Sequence, residues 1–325
     1  DRSSAASDVY KRQMLGQAKS QGVPVAAART IDQLLQTIDR LEAEADSSLR
    51  AYLEGTLGYD DNVNSAPSSK VFGLKPAASA FTALAFTVSG RKALAPRWSL
   101  IGSFGASGRA HNTTAIAYDT TQLDGSIGAN YRVDRDEYTV ALQLSDSNVA
   151  TVQARSSWSI SSEWTHRFDA FRQFNAYFQA GHLTYPQSVR NVDRYVLGAS
   201  YGQQFRSGLS TYGSAYIGQE VTTQAGVGHL GHTLLGGRVG VQKPFGDTLA
   251  LFASLSLEDR SYSGPDPLFL TTRHDQQWGL NIGTHWLPAK AWRVTPQWSY
   301  LQTASNISTS TFEKQTLSVT ARREF

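Results

Sequence analysis

Three histidines, His166, His182 and His285, are the side chains in this sequence best suited to take a proton from a serine or a water. A hydrolase needs a nucleophile beside a base beside an orienting group. Serines and aspartates abound, yet no local spacing picks out such a set. A polar side chain facing a water-filled interior is therefore the better reading of all three. Asp60, Asn62 and Asn64 have the spacing that opens a calcium loop, but Ser65 replaces its glycine and Val71 its closing glutamate. An Asx-rich turn is expected there instead. GVGHLG at 226–231 fits a G-x-G-x-x-G template, which binds dinucleotides only between a strand and a helix. No helix follows it, so a flexible glycine loop is expected. His229 and His232 lie near one another in the same segment, and two imidazoles on a loop seldom make a metal site. The sequence thus predicts no catalytic residue, no metal and no cofactor, and a protein that is not an enzyme.

The remaining chemistry is charge. Arg132, Arg155, Arg194, Arg238, Arg260, Arg273 and Arg293 can line a barrel lumen, neutralised by Asp124, Asp193, Glu258 and Asp275. A mixed-charge interior is ordinary for a barrel and does not by itself indicate anion selectivity. Over 325 residues the net charge is +3, and the arginines are scattered rather than clustered. Nucleic-acid binding wants a basic stripe, so no nucleic-acid partner is expected. Cysteine is absent, which excludes disulfides and thiolate chemistry.

The elements that would position these residues are strands. No run of about 18 apolar residues is present, so no transmembrane helix is expected. The mean hydropathy of −0.34 does not argue against a membrane barrel, whose two faces cancel in any average. From Leu49 onward the hydrophobic period is two. Leu317, Val319, Ala321 and Phe325 share one face, with Thr316, Ser318 and Thr320 on the other. Leu249, Leu251, Ala253, Leu255 and Leu257 alternate likewise with small or polar neighbours, as do Tyr138, Val140, Leu142 and Leu144. Fourteen strands follow: 49–58, 79–90, 97–108, 120–132, 136–145, 155–167, 172–184, 193–205, 209–219, 232–242, 248–260, 274–286, 293–303 and 312–325. Short turns at 91–96, 133–135, 168–171, 206–208, 243–247 and 287–292 alternate with longer loops at 59–78, 109–119, 146–154, 185–192, 220–231, 261–273 and 304–311. That asymmetry belongs to bacterial outer-membrane barrels, with the short side periplasmic. Aromatics such as Trp98, Trp158, Tyr195, Trp278, Trp286 and Trp298 fall near strand ends, as interfacial girdles require. A soluble sandwich would have shorter strands, and a propeller would repeat at about 40–45 residues.

The expected architecture is all-β: a transmembrane antiparallel barrel of about fourteen strands over 49–325, preceded by a short N-terminal helix. Residues 1–13, DRSSAASDVYKRQ, look like a translated sequencing-adapter peptide and are set aside. On that reading the native start lies upstream, and the missing signal peptide carries no weight. Within 14–48, a helix over 28–47 is expected. Thr30 caps it, and Ile31, Leu34, Leu35, Ile38 and Leu41 form its stripe. One such helix cannot bury its stripe alone, so it reads as the tail of a truncated periplasmic helical-repeat domain, ahead of a barrel plug or a rim helix.

The segment LEGTLGYDDNVNSAPSS at 53–69 resembles the opening strand and first loop of the surface lipoprotein assembly modifier family. RSYSGPD at 260–266, RHDQQWGLNIGTHW at 273–286, TPQWSYLQTASNIS at 295–308 and the terminal ARREF resemble that family's last four strands. The likeness covers roughly 28–325. It implies tetratricopeptide-type repeats before a fourteen-stranded barrel, and a translocator that moves client lipoproteins or small secreted proteins to the surface of a Gram-negative cell. Implied partners are the client, outer-membrane lipids and the barrel assembly machinery. Arg323 departs from the pattern, because it stands where an assembly signal is usually apolar. The resemblance concentrates at Asp60, Asp61, Asn62 and Asn64, which form the candidate functional first loop, with a structural role expected before client contact. A client strand would pair at a seam between 49–58 and 312–325. The competing function is a polysaccharide-export porin, which shares the repeat-plus-barrel plan.

Overall fold

The computed structural model describes residues 47–68, 73, 75–112 and 115–325. They form fourteen strands in one closed antiparallel barrel, each strand paired with its neighbours in sequence and the last with the first. The first five are β1 (Ser47–Asp60), β2 (Ser79–Ala95), β3 (Trp98–His111), β4 (Thr120–Val133) and β5 (Asp136–Val149). Next come β6 (Val152–Arg167), β7 (Arg172–Thr184), β8 (Val192–Gln204), β9 (Ser210–Thr222) and β10 (His232–Phe245). The wall closes through β11 (Leu249–Pro265), β12 (Thr272–Trp286), β13 (Trp292–Ser305) and β14 (Phe312–Glu324). Closure removes every sheet edge, the feature that lets a strand-built wall face lipid without unpaired backbone.

The period of two decides which residues go where. Outward positions carry Leu84, Leu142, Leu197, Val239, Leu257 and Leu317, all exposed. The acyl chains of a bilayer, not water, suit such a continuous apolar belt, since monomers in water rarely expose patches of this size. Aromatics ring the short-turn end of the belt, among them Trp98, Trp164, Phe205, Trp286, Trp292 and Phe325. At the other end the outward face turns polar, with His182 on Asp193 at 2.8 Å and His274 on Asp259 at 2.8 Å. Arg323 points outward at the short-turn rim and lies 5.6 Å from the Trp292 ring and 5.0 Å from the Phe325 ring. A cation among interfacial aromatics keeps its head in water, so the departure at this position is accommodated at the rim.

Many inward positions carry Ser, Gly, Thr or Ala among the larger polar side chains, and inward tyrosine rings lie over glycines. Tyr216 covers Gly236 and Tyr177 covers Gly198, each so closely that a Cβ on the glycine would fall within 2.5 Å of the ring. The ring thereby fills the gap that glycine leaves and stays out of the passage.

Strand positions agree with the sequence reading, while several ends differ. β2 runs on to Ala95, so the 91–96 turn shrinks to 96–97, and Ser47 and Ser48 are strand rather than helix. The loop expected at 146–154 is a two-residue turn, 150–151, with Ala150 at φ 54° and Val149 opposite Val152. The apolar face stops at Leu144, but the backbone ladder does not. Asp146 accepts from Gln153 at 2.6 Å and from Asn148 at 3.2 Å, which holds a polar extension of the hairpin together. The alternation of short and long connections therefore fails at β5–β6. In the 168–171 turn, the Arg172 guanidinium and the Phe171 N–H hold the Asp169 carboxyl below the usual carboxylate range. The helix expected over 28–47 lies, up to residue 46, outside the described residues, as do residues 1–13.

Candidate functional site: the lumen wall and the closing seam

Two features stand out: the charged inner wall, and the seam where β14 closes on β1. The seam register runs from Tyr52 opposite Glu324 to Asp60 opposite Thr316, whereas β1 pairs with β2 from Ser47 to Asp60. It is the shortest ladder of the barrel. Residues 47–51 therefore extend past the end of β14, held on that side by the Phe325 N–H donating to the Ala51 carbonyl at 2.9 Å. Midway, the Thr56 and Thr320 hydroxyls meet at 2.8 Å inside the lumen.

The outer end of the seam is where the structure places the candidate first loop. Asp60 is fully buried and pairs with Lys314 of β14 at 2.8 Å. Asp61 accepts from the Gln315 N–H at 2.6 Å. Asn62, also buried, donates from Nδ2 to the Glu313 carbonyl at 2.8 Å and the Ala66 carbonyl at 3.0 Å, and accepts from the Ala66 N–H at 2.8 Å. Asn64 ties Lys75 and Ala77 within the loop instead. Asp60, Asp61 and Asn62 thus stitch β1 to β14, and side-chain oxygens a cation would need are taken by backbone N–H groups and by the Lys314 ammonium. Asn62→Ala should cost about 1–3 kcal/mol, because it leaves buried backbone groups unpaired. Asn64→Ala, whose bonds are more exposed, should cost less. Urea unfolding of the detergent-solubilised barrel checks the order of the two.

On the inner wall, Arg132, Arg155, Arg194, Arg238, Arg260, Arg273 and Arg293 all occupy inward register positions. Asp124, Glu258 and Asp275 do too. Asp193 does not: it follows the inward Val192 on β8 and faces outward to His182, one residue off the parity that would aim it inside. The pairs on this wall are Arg194–Glu220 at 3.5 Å, Arg273–Asp275 at 2.6 Å, and Arg260 with Glu258, which also accepts from the Tyr216 hydroxyl.

The densest charge centre is one the sequence reading missed. Glu137 of β5 is 1% exposed and holds Arg91 of β2 at 2.8 Å, Arg132 of β4 at 3.1 Å and Arg167 of β6 at 2.8 Å, with Asn130 donating at 2.7 Å. At the short-turn end near the seam, Arg293 and Arg322 each lie 3.7 Å from Glu54, and Arg322 also sits 3.3 Å from Glu324.

The three histidines do not converge. His166 faces outward at the rim beside Asp136 at 2.9 Å, and His182 faces outward near the other end. His285 alone faces the lumen, buried against Phe252 and 3.1 Å from Thr295 Oγ1. The glycine-rich 226–231 segment is a loop ending in a single 3-10 turn, Gly228–Leu230. Among the described residues no cluster of His, Asp and Glu is arranged to hold a metal ion.

No protein-family model matches the chain, and no curated protein matches it in sequence. Solved structures do. An in-vitro folded outer membrane protein of Vibrio cholerae, OmpT, aligns with a TM-score of 0.51 at 8% identity, covering 87% of this chain and 99% of that one. Its loop L8 deletion mutant gives the same TM-score and identity over 86% of this chain and 100% of that one. At this identity the likeness is one of fold, and the fold is the closed barrel of outer-membrane proteins.

Proposed function

We propose that the chain is the membrane-embedded part of an outer-membrane translocator, in which a polypeptide client passes through the lumen and the β1–β14 seam opens to let it leave. The apolar belt and aromatic rim favour an outer-membrane location. The observation that carries the reading is the seam: the shortest ladder in the wall, with the edge of β1 running beyond the β14 ladder at the short-turn end. A client strand can add to such an edge by main-chain hydrogen bonds. For a lipoprotein client the seam has a chemical reason as well. Acyl chains gain nothing in a lumen of hydroxyls and guanidiniums, and reach the bilayer only sideways through the wall. The resemblance to the assembly modifier family points to lipoproteins or small secreted proteins as the clients.

The chain has no cysteine, so Thr56→Cys with Thr320→Cys gives a clean lock across the seam. With a client encoded beside the gene, protease on intact cells should find the client at the surface with the reduced barrel and little of it with the oxidised one. Full display through the locked barrel would sink the seam. The competing reading, a polysaccharide-export porin, is favoured by the small hydroxyl side chains that line the inner face. It predicts polymer export that the lock leaves untouched.

A further inference from the structure

The inner wall carries charges of both signs, and along β8–β12 it does not present them equally. In the arginine ion pairs of that stretch the cation is the member more exposed to lumen water. The Arg260 side chain is 33% exposed and its partner Glu258 16%. Arg273 is 31% exposed and Asp275 1%. The same order holds where Arg194 covers Glu220. The cause is geometric. A carboxylate on a short stem lies against the backbone of the wall, and the longer arginine reaches over it with its planar head turned inward.

Arg238 adds to this. It sits near the middle of β10, opposite Ser214 and Ser256, with Gly236 and Gly240 on either side along its own strand. Among the described residues no carboxylate lies within ion-pair distance of it; its guanidinium hydrogen-bonds the Tyr212 hydroxyl, and its Nη1 is buried without a hydrogen-bond partner. A guanidinium with no counter-charge leaves its positive field uncancelled along the lumen, where a mobile anion can answer it.

We infer that the lumen is anion-selective, with Arg238 as an uncompensated positive charge and the lumen-exposed Arg260 and Arg273 as its flanks. The ligand class is small inorganic anions such as chloride, and by the same chemistry the carboxylates or phosphates of an acidic cargo. Field focusing in a narrow water-filled passage makes the layer nearest the water count most, because charges behind it are partly screened by their own partners. The inference rests on the lumen being open to water, as the proposed function requires.

The test is the reversal potential of the purified full chain in planar bilayers across a steep KCl gradient. Wild type should favour chloride over potassium. Arg238→Glu should lower that permeability ratio several-fold, and Arg260→Gln, which uncovers Glu258, should lower it further. Arg238→Lys should keep the preference, and Lys92→Gln, on the outer face, should leave it unchanged. The heat-dependent gel shift of each variant reports that its barrel has formed, and Arg238→Lys keeps the comparison available where Arg238→Glu does not fold. A wild-type ratio at or below one overturns the inference while leaving the channel standing, and so does a ratio that neither Arg238→Glu nor Arg260→Gln moves. No conductance from a folded barrel overturns the open lumen itself, and the inference with it.

Discussion

Glu137→Ala should destabilise the barrel by about 3–5 kcal/mol, since removing one member of a buried ion cluster strands the others. Glu137 is almost completely enclosed, and three guanidiniums from three different strands converge on its two oxygens. Without it, Arg91, Arg132 and Arg167 repel one another across the inner wall. Glu137→Gln keeps the shape and the bond from Asn130 but loses the charge, so it should recover only part of the loss. Glu258→Gln is the informative contrast. Its arginine partner already reaches lumen water, so the same chemical change there should cost markedly less. Urea titrations of the folded barrel, followed by tryptophan fluorescence, give the order. Equal midpoints for Glu137→Ala and wild type would mean the cluster holds nothing together.

Why Glu137 escaped a reading of the sequence is instructive. Asp136–Glu137 follows a tight turn, and acidic residues beside a turn normally face solvent. Arg91 and Arg167 lie 46 and 30 residues away along the chain. Only wall curvature brings β2 within reach of β5, and curvature is a property of closure rather than of any segment. By contrast the strands themselves were legible, because alternation is written locally and every outward leucine repeats it. The arginines expected in the lumen do occupy inward positions. Asp193 does not, and alternation already says so: it shares the face of Tyr195 and Leu197 and finds a histidine on the outer rim. Strand ends were the least legible part. The β5–β6 hairpin continues through Asp146, Asn148 and Gln153, residues with no apolar face to mark it, because hydrogen bonds extend a ladder where side-chain burial has stopped. The first loop was noticed for its pattern of Asp and Asn. What it does, namely fasten β14 to β1, depends on contacts between distant parts of the chain, such as Asn62 with Glu313, 251 residues away.

The outer face supplies the second large effect, and it separates lipid from lumen within one pair of neighbours. Val239 and Arg238 are adjacent on β10 and point to opposite sides of the wall. Val239 is 57% exposed on the outside, near the middle of its strand. Val239→Arg should cost about 2–4 kcal/mol in lipid vesicles, the penalty for a guanidinium at the bilayer midplane of a strand-built barrel. In a detergent micelle, where water and headgroups lie closer, the penalty should shrink. The reverse exchange on the inner side, Arg238→Val, should cost less, because that side chain has no carboxylate partner to abandon and loses only its hydrogen bond with the Tyr212 hydroxyl. It should show instead in the chloride preference. Reversible urea unfolding in vesicles and in micelles, run on both variants, distinguishes the faces directly. If Val239→Arg is as stable as wild type in vesicles, the belt of exposed leucines and valines is not what lipid covers, and the barrel would have to hide that surface against another protein.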